Sequence, residues 1–383
     1  PAGRARLARR ARVPALAHLT LVLRRRLEQR AGGAVAAPAL GAGAVVEVRV
    51  CRGVVLHLGG ERQKRRTQRK RGRIGRGLAV WARGARGRAT EVVGVGIRGS
   101  GVPGNLAPKL LKWRMPSLFS LPEGISYQFL DITNIDSCLR IVSKFQPDSI
   151  IHSAAMTQVD NCEKEREDCD RINLKGVSNL ILAIGSSHIH FVHISSDFVY
   201  RGNLKVYFED SEVHPLNYYG LSKWKSEKLF EGVHFPFTIL RTALVYGFTE
   251  DFSRPNIVMW AKRSLESRKK IKVVDDQYRC PTLVEDLANA CWQVIQKKVQ
   301  GVFHVSGSDF LSIFEIIDKV ADHWGLDKSL ISQISTKSLD QLAKRPKKTK
   351  LNINKAKKEF KYYPRSFSEG LKLIDEQLQN KKN

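Results

Sequence analysis

Tyr219 and Lys223 stand four apart in Tyr219-Gly220-Leu221-Ser222-Lys223, downstream of the apolar run Phe191-Val192-His193-Ile194 and its polar end Ser195-Ser196-Asp197. On a helix, residues four apart share a face, so a phenol and an ammonium would enter the same space. A nearby ammonium favours phenolate and would lower the tyrosine pKa toward a value suited to proton transfer near neutrality. A serine hydroxyl delivered from a strand end could hold a substrate oxygen against that phenol. This is equipment for moving a proton at a carbonyl or an alcohol. The plain alternative is a surface helix with a tyrosine lying on a lysine stem. Order favours chemistry: an apolar strand, Ser-Ser-Asp, 23 positions from Ser196 to Tyr219, then a helix-like stretch to Glu231.

Such side chains need a frame. From about residue 100 onward, short apolar runs alternate with helical periodicity, which predicts an α/β fold with a parallel sheet. The predicted strands are Ser126–Leu130, Ser149–His152, Phe191–Ile194, Phe237–Leu240 and Val302–Val305. Helices are predicted over Ile135–Phe145, Asp168–Ile184, Tyr218–Glu231, Ile257–Ser267, Leu283–Lys297, Leu311–Trp324 and Ser366–Gln379.

Composition divides the chain in two. The formal net charge is +28 over 383 residues, but residues 1–115 hold 27 Lys+Arg against 4 Asp+Glu, and the remainder holds 38 against 33. Residues 1–99 form a basic Arg/Ala/Gly-rich segment with no serine. Three readings of it stay open: a disordered nucleic-acid-binding arm, an organelle transit peptide, and a stretch translated from outside the native coding sequence. Nucleic-acid binding is not supported further, because only Trp81 interleaves an aromatic ring with the charge. The six cysteines form no C-x-x-C pair and have no histidine at metal-ligand spacing. They read as free thiols of a reducing, cytoplasmic compartment, with no metal site. No run of about eighteen strongly apolar residues predicts a membrane span.

Several further segments, in order, resemble one family. Phe129-Leu130-Asp131-Ile132-Thr133 is similar to its adenine-side acidic turn, and Pro147 to Ala155 to the strand and small-residue turn beneath the cofactor. Thr157-Gln158-Val159-Asp160 and Ile172-Asn173 continue that pattern. Ser195-Ser196-Asp197-Phe198-Val199-Tyr200 resembles the catalytic strand end, and Leu240 to Gly247 the passage into a sugar-nucleotide subdomain. Asp276-Gln277-Tyr278-Arg279-Cys280-Pro281-Thr282, Val284-Glu285-Asp286-Leu287-Ala288, Arg345-Pro346 and Pro364-Arg365-Ser366-Phe367 complete it. The family is the extended short-chain dehydrogenases/reductases, of the dTDP-4-dehydrorhamnose reductase (RmlD) type.

The resemblance implies a Rossmann-like, doubly wound parallel sheet over 100–379. It also implies a smaller C-terminal substrate-binding subdomain, drawn mainly from 244–282 and 300–379. The implied reaction is reduction of the C4 ketone of a nucleotide-linked 4-keto-6-deoxysugar, with hydride from NADPH or NADH. Ser196, Tyr219 and Lys223 would be catalytic: Tyr219 as proton donor, Lys223 tuning it and holding the nicotinamide ribose, Ser196 holding the ketone oxygen. Cofactor contacts would come from Gly101, Gly104, Asp131, Ile132, Ala154, Ala155, Asn173, Ser195, Tyr219 and Lys223. Substrate contacts would come from Asp197, Val199, Gln277 and Arg279. A homodimer and a bound Mg2+ are both compatible with the family. A branch with the same pattern acts as the β subunit of methionine adenosyltransferase, which gives a second reading: a regulatory subunit bound to that enzyme's catalytic subunit.

The sequence departs from the family at its phosphate cradle. Gly94-Val95-Gly96-Ile97-Arg98-Gly99 matches G-x-G-x-x-G with no helix following, whereas Gly101-Val102-Pro103-Gly104-Asn105-Leu106-Ala107 resembles the family's fingerprint with alanine third. Pro103 removes one amide that could face phosphate. Gly101 to Asp131 spans only 30 residues, short for a helix, a second strand and a ribose loop. Leu244 stands where these reductases often carry an aromatic residue.

Overall fold

The computed structural model describes residues 130–249, 255–339 and 341–382, with the backbone of three strands at Val46–Glu47, Leu78–Ala82 and Glu91–Arg98. Four parallel strands lie side by side in chain order: β1 (Ser149–His152), β2 (His190–Ser196), β3 (Phe237–Thr242) and β4 (Gly301–His304). Register sets Ile150 beside Phe191, Phe191 beside Phe237, and Ser196 beside Thr242. Because side chains alternate across a strand, Ile150, Phe191 and Ile239 enter one core while Ile151, Val192 and Leu240 enter another. Helices α1 (Ile135–Phe145) and α2 (Gly176–Ile184) supply the first core through Ile141, Val142, Val177, Leu180 and Ile184. The second is covered by α5 (Val284–Gln296) and the short helix Asn354–Phe360, through Leu287, Ala290, Val294, Ala356 and Phe360. Burial on both faces explains why these strands read as unbroken apolar runs. Each large aliphatic side chain so buried stabilises the layer by about 1.5–3 kcal/mol.

Caps fix where the helices begin. Asn134 accepts from the Ser137 amide at the start of α1, and Asn217 from the Gly220 amide at the start of α3 (Tyr218–Lys228). Ser312 and Glu315 form a reciprocal capping box that opens α6 (Ile313–His323), so the predicted helix start at Leu311 moves inward, and Leu311–Ser312 pairs as a strand with Tyr278–Arg279. The single helix predicted over 168–184 is three pieces. Arg166–Asp170 is α-helical, Arg171–Lys175 widens into a π turn, and α2 follows. The sequence also concealed a short helix at Val159–Lys164 and the parallel pair Ile271–Val274 with Ile331–Ile334.

A separate core gathers α4 (Ile257–Glu266), α6 and α7 (Phe367–Lys382) around Val258, Leu265, Ile271, Val273, Ile316, Val320, Leu371 and Ile374. The predicted strand Ser126–Leu130, apart from Leu130, and the disorder expected for 1–99, apart from the three strands named, lie outside the described residues.

Candidate active site

Strand β2 ends in Ser195 and Ser196 and turns at once into Asp197–Val199. Ser196 caps this turn: its hydroxyl accepts from the Phe198 amide at 3.2 Å and donates to Asp197 Oδ1 at 3.2 Å. Helix α3 then passes over the turn so closely that a Cβ on Gly220 would stand 2.2 Å from the Phe198 carbonyl oxygen. Only glycine fits there, and that contact brings Tyr219, its neighbour in sequence, onto the strand end. The Phe198 and Tyr219 rings meet edge to face with centroids 5.9 Å apart, and Ser196 acts to lower the Tyr219 pKa.

The helix is held from three sides. Asn173, in the π turn and 1% exposed, accepts from the Met156 amide at 2.7 Å and donates to the Met156 carbonyl at 3.0 Å and Ser222 Oγ at 2.9 Å. It thereby ties the loop after β1 to α3 between Tyr219 and Lys223. Ser195 donates to Glu227, and Glu227 holds Arg241 of β3 through Nη2–Oε2 at 2.7 Å and Nε–Oε1 at 3.1 Å. Arg241 Nη1 also donates to Tyr200 Oη at 2.6 Å. This ion pair is 6% exposed on both sides. Below Tyr219, Lys223 is 2% exposed and its Nζ stands 3.4 Å from His193 Nε2.

The electrostatics differ from the sequence expectation in one respect. Burial raises the Tyr219 pKa, with Asp197, Cys162 and Cys169 adding to the rise and Ser196 opposing it. The Lys223 ammonium meets His193, with Glu227 and Cys169 raising its pKa. Burial itself pushes Lys223 down to about 8. At neutral pH Tyr219 is therefore a protonated phenol, an acid able to donate.

Ser196 and Tyr219 are thus brought to the same strand end around Phe198, with Lys223 one turn further along α3. The predicted cofactor residues are spread more widely. Ala154 is buried and Ala155 half-buried in the turn after β1. Asp131 accepts from the Thr133 amide and hydroxyl at 2.9 and 2.8 Å. Ile132 is a core side chain whose carbonyl is taken by Asn179. Gly101 and Gly104 lie outside the described residues.

The four expected substrate contacts are buried rather than open. Asp197 pairs with Arg279 at 3.5 Å and accepts from Thr349, while Arg279 also donates to the Pro346 carbonyl at 2.6 Å. Burial raises the Asp197 pKa against the pull of Arg279. Val199 packs with Tyr200, Tyr207 and Leu351, and Gln277 donates to Thr336 at 2.9 Å. In this arrangement Asp197 and Arg279 brace the loops at 197–199 and 345–349. Sequence reasoning missed Glu227 as a strut, although its place four beyond Lys223 put it on the same face; Arg241 stood unremarked in Leu240-Arg241-Thr242. Among the described residues no group of three or more His, Cys, Asp or Glu could hold a metal ion, all five cysteines are free, and no helix is long and apolar enough to cross a membrane.

Residues 101–380 match the family described as the RmlD substrate binding domain. The chain is 31% identical to the spore coat polysaccharide biosynthesis protein SpsK of Bacillus subtilis, over 65% of this chain and 86% of that protein. It is 28% identical to the methionine adenosyltransferase 2 subunit beta of Xenopus laevis, over 61% of this chain and 71% of that one. Among solved structures, dTDP-4-dehydrorhamnose reductase of Bacillus anthracis in complex with NADP superposes with a TM-score of 0.62. That match is at 30% identity and covers 71% of this chain and 95% of the reductase.

Proposed function

We propose, on the premise that the chain belongs to the RmlD substrate binding domain family of extended short-chain dehydrogenases/reductases, that it reduces the C4 ketone of a nucleotide-linked 4-keto-6-deoxysugar. The observation that carries this is Tyr219: a protonated phenol packed edge to face on Phe198, in the turn that Ser196 caps at the carboxyl end of a central strand. In open α/β sheets ligands bind beyond those strand ends. The residues fit a nicotinamide cofactor, since Tyr219, Lys223 and the small Ala154-Ala155 turn all lie at that edge, and a solved relative holds NADP. NADPH or NADH, when bound, supplies the hydride.

The protein's own groups then manage one oxygen. Ser196 donates to the ketone oxygen, which acquires charge as the carbonyl is reduced. Tyr219 gives that oxygen its proton, completing the alcohol. The resulting phenolate is stabilised by the ammonium of Lys223 on the same helix face. Asn173 and Gly220 hold the helix against the strand end, so the phenol is aimed before substrate arrives. Asp197, Val199, Gln277 and Arg279 shape the loops that would receive the sugar.

An NADPH-oxidation assay with dTDP-4-dehydrorhamnose tests this reading. Tyr219→Phe, which keeps the ring and removes the proton, should lower kcat by about 10²–10⁴-fold. Turnover unaffected by that change overturns the assignment. Similarity to the methionine adenosyltransferase 2 subunit beta supports a second reading, a regulatory subunit. No turnover together with stable co-purification of an adenosyltransferase catalytic subunit would favour it.

A further inference from the structure

Behind Lys223 lie two imidazoles that the proton-transfer chemistry leaves unused. His193 of β2 and His152 of β1 are paired in register, fully buried, and stacked with centroids 5.2 Å apart at 12°. Their Nδ1 atoms are 3.1 Å apart. The other nitrogen of His193, Nε2, faces Lys223 Nζ at 3.4 Å and Ser226 Oγ at 3.0 Å. His152 Nε2 is buried without a hydrogen-bond partner among the described residues.

The protons of this cluster can be assigned by what each group is able to donate. An ammonium has no lone pair, so a contact with Lys223 requires the lone pair on His193 Nε2. The His193 proton then sits on Nδ1 and is donated to His152 Nδ1. His152 in turn carries its own proton on Nε2, the one atom left unpaired. Ser226 does not oppose this, since its hydroxyl can donate to the same Nε2 or turn to the Lys223 carbonyl at 2.7 Å. In the opposite tautomer an N–H would point at the ammonium. A buried N–H without a partner calls for an explanation in a native fold. Here it is the far end of an arrangement whose near end holds Lys223.

We propose that His193 is a positioning residue acting through Lys223, accepting from Nζ at Nε2 while His152 fixes its tautomer from behind. The inference rests on the reading of Lys223 as part of the reductase site. Burial keeps both imidazoles neutral, as an acceptor must be. The groups facing Lys223 are Glu227 from its own helix, Cys169 from Arg166–Asp170 and His193 from β2; His152 of β1 faces His193. Glu227 and Cys169 raise the Lys223 pKa against burial. A lone pair at Nε2 acts in the same direction, by favouring the charged form.

The test is titration of Lys223 in the full chain by NMR of ε-¹³C-lysine, the signal being identified by its loss in Lys223→Met. In His193→Phe the midpoint should fall by about one pH unit, and His193→Gln should restore it, because its side-chain oxygen reaches the place of Nε2. The basic limb of kcat for NADPH oxidation should move with it, while KM for the nucleotide sugar stays within about twofold. A folded His193→Phe protein with an unmoved Lys223 midpoint overturns the inference. Should that variant not fold, His152→Phe is read the same way: it removes the tautomer lock and should lower the midpoint by a smaller step, and no movement overturns the proposal. A shifted midpoint in a protein that oxidises no NADPH would uphold the positioning role and sink the reductase reading.

Discussion

Lowering the pH from 7.5 to 5.5 should cost this fold about 4 kcal/mol, and three histidines set that figure. His152, His193 and His304 are each 0% exposed. Burial, with nearby cations, takes His152 and His304 down to about 3 and His193 well below its ordinary 6.5. The folded pKa values are depressed, so the unfolded chain takes up protons first. The stability they contribute is complete above about pH 6.5 and is lost as pH falls toward 3. At pH 5.5 an unfolded imidazole is mostly protonated and a folded one is not, a difference of roughly 1–1.5 kcal/mol for each histidine. His190 is shifted the same way. Asp197, Glu285 and Asp286, raised by burial, bind protons first in the folded state and act with the opposite sign. The chosen window stays above the ordinary carboxylate range to limit their effect. Urea unfolding followed by tryptophan fluorescence at both pH values measures the loss, and the melting temperature should drop by about 10 °C. His152→Phe should remove about a third of the pH dependence. An unfolding free energy flat across the window, or a His152→Phe slope equal to that of the unaltered protein, would refute the reasoning.

Two further perturbations probe the frame around Tyr219. Glu227→Gln leaves Arg241 buried without its counter-charge and should cost about 3–5 kcal/mol, part of which Arg241→Met in the same chain should recover. A double-mutant cycle by urea unfolding measures the coupling, and a value below about 0.5 kcal/mol would dismiss the strut. Gly220→Ala forces a Cβ against the Phe198 carbonyl, so α3 must lift from the strand end. A loss of about 1–3 kcal/mol with a larger loss of kcat than of binding is expected, and an alanine variant with full activity would show the contact to be slack.

The parts of this fold that could be read in advance are those where burial is total on both sides. Ile150-Ile151 and Phe191-Val192 feed opposite layers, so both letters had to be apolar, and the strands announced themselves. Ser196 was legible because polarity returns abruptly where β2 ends. Polar residues are harder: an Asp or Arg in sequence looks the same whether it reaches for a ligand or for another part of the chain. Asp197 and Arg279 find each other only once two distant loops are folded together. The direction of the Lys223 ammonium was equally hidden, since it depends on His193 from a strand thirty residues earlier. The break in the helix over 166–184 leaves no trace in periodicity, because one extra residue in a turn shifts the pattern without removing it.

That extra residue has a consequence for how the chain tolerates change in length. A wide turn at Arg171–Lys175 puts the helical segments on either side out of phase by about 100° relative to one continuous α-helix. Deleting a single residue there would let the crossover close into a regular helix, rotating Asn173 away from either Met156 or Ser222. Surface loops absorb such a loss at little cost. Here one residue of chain would be converted into an angular error at the phenol.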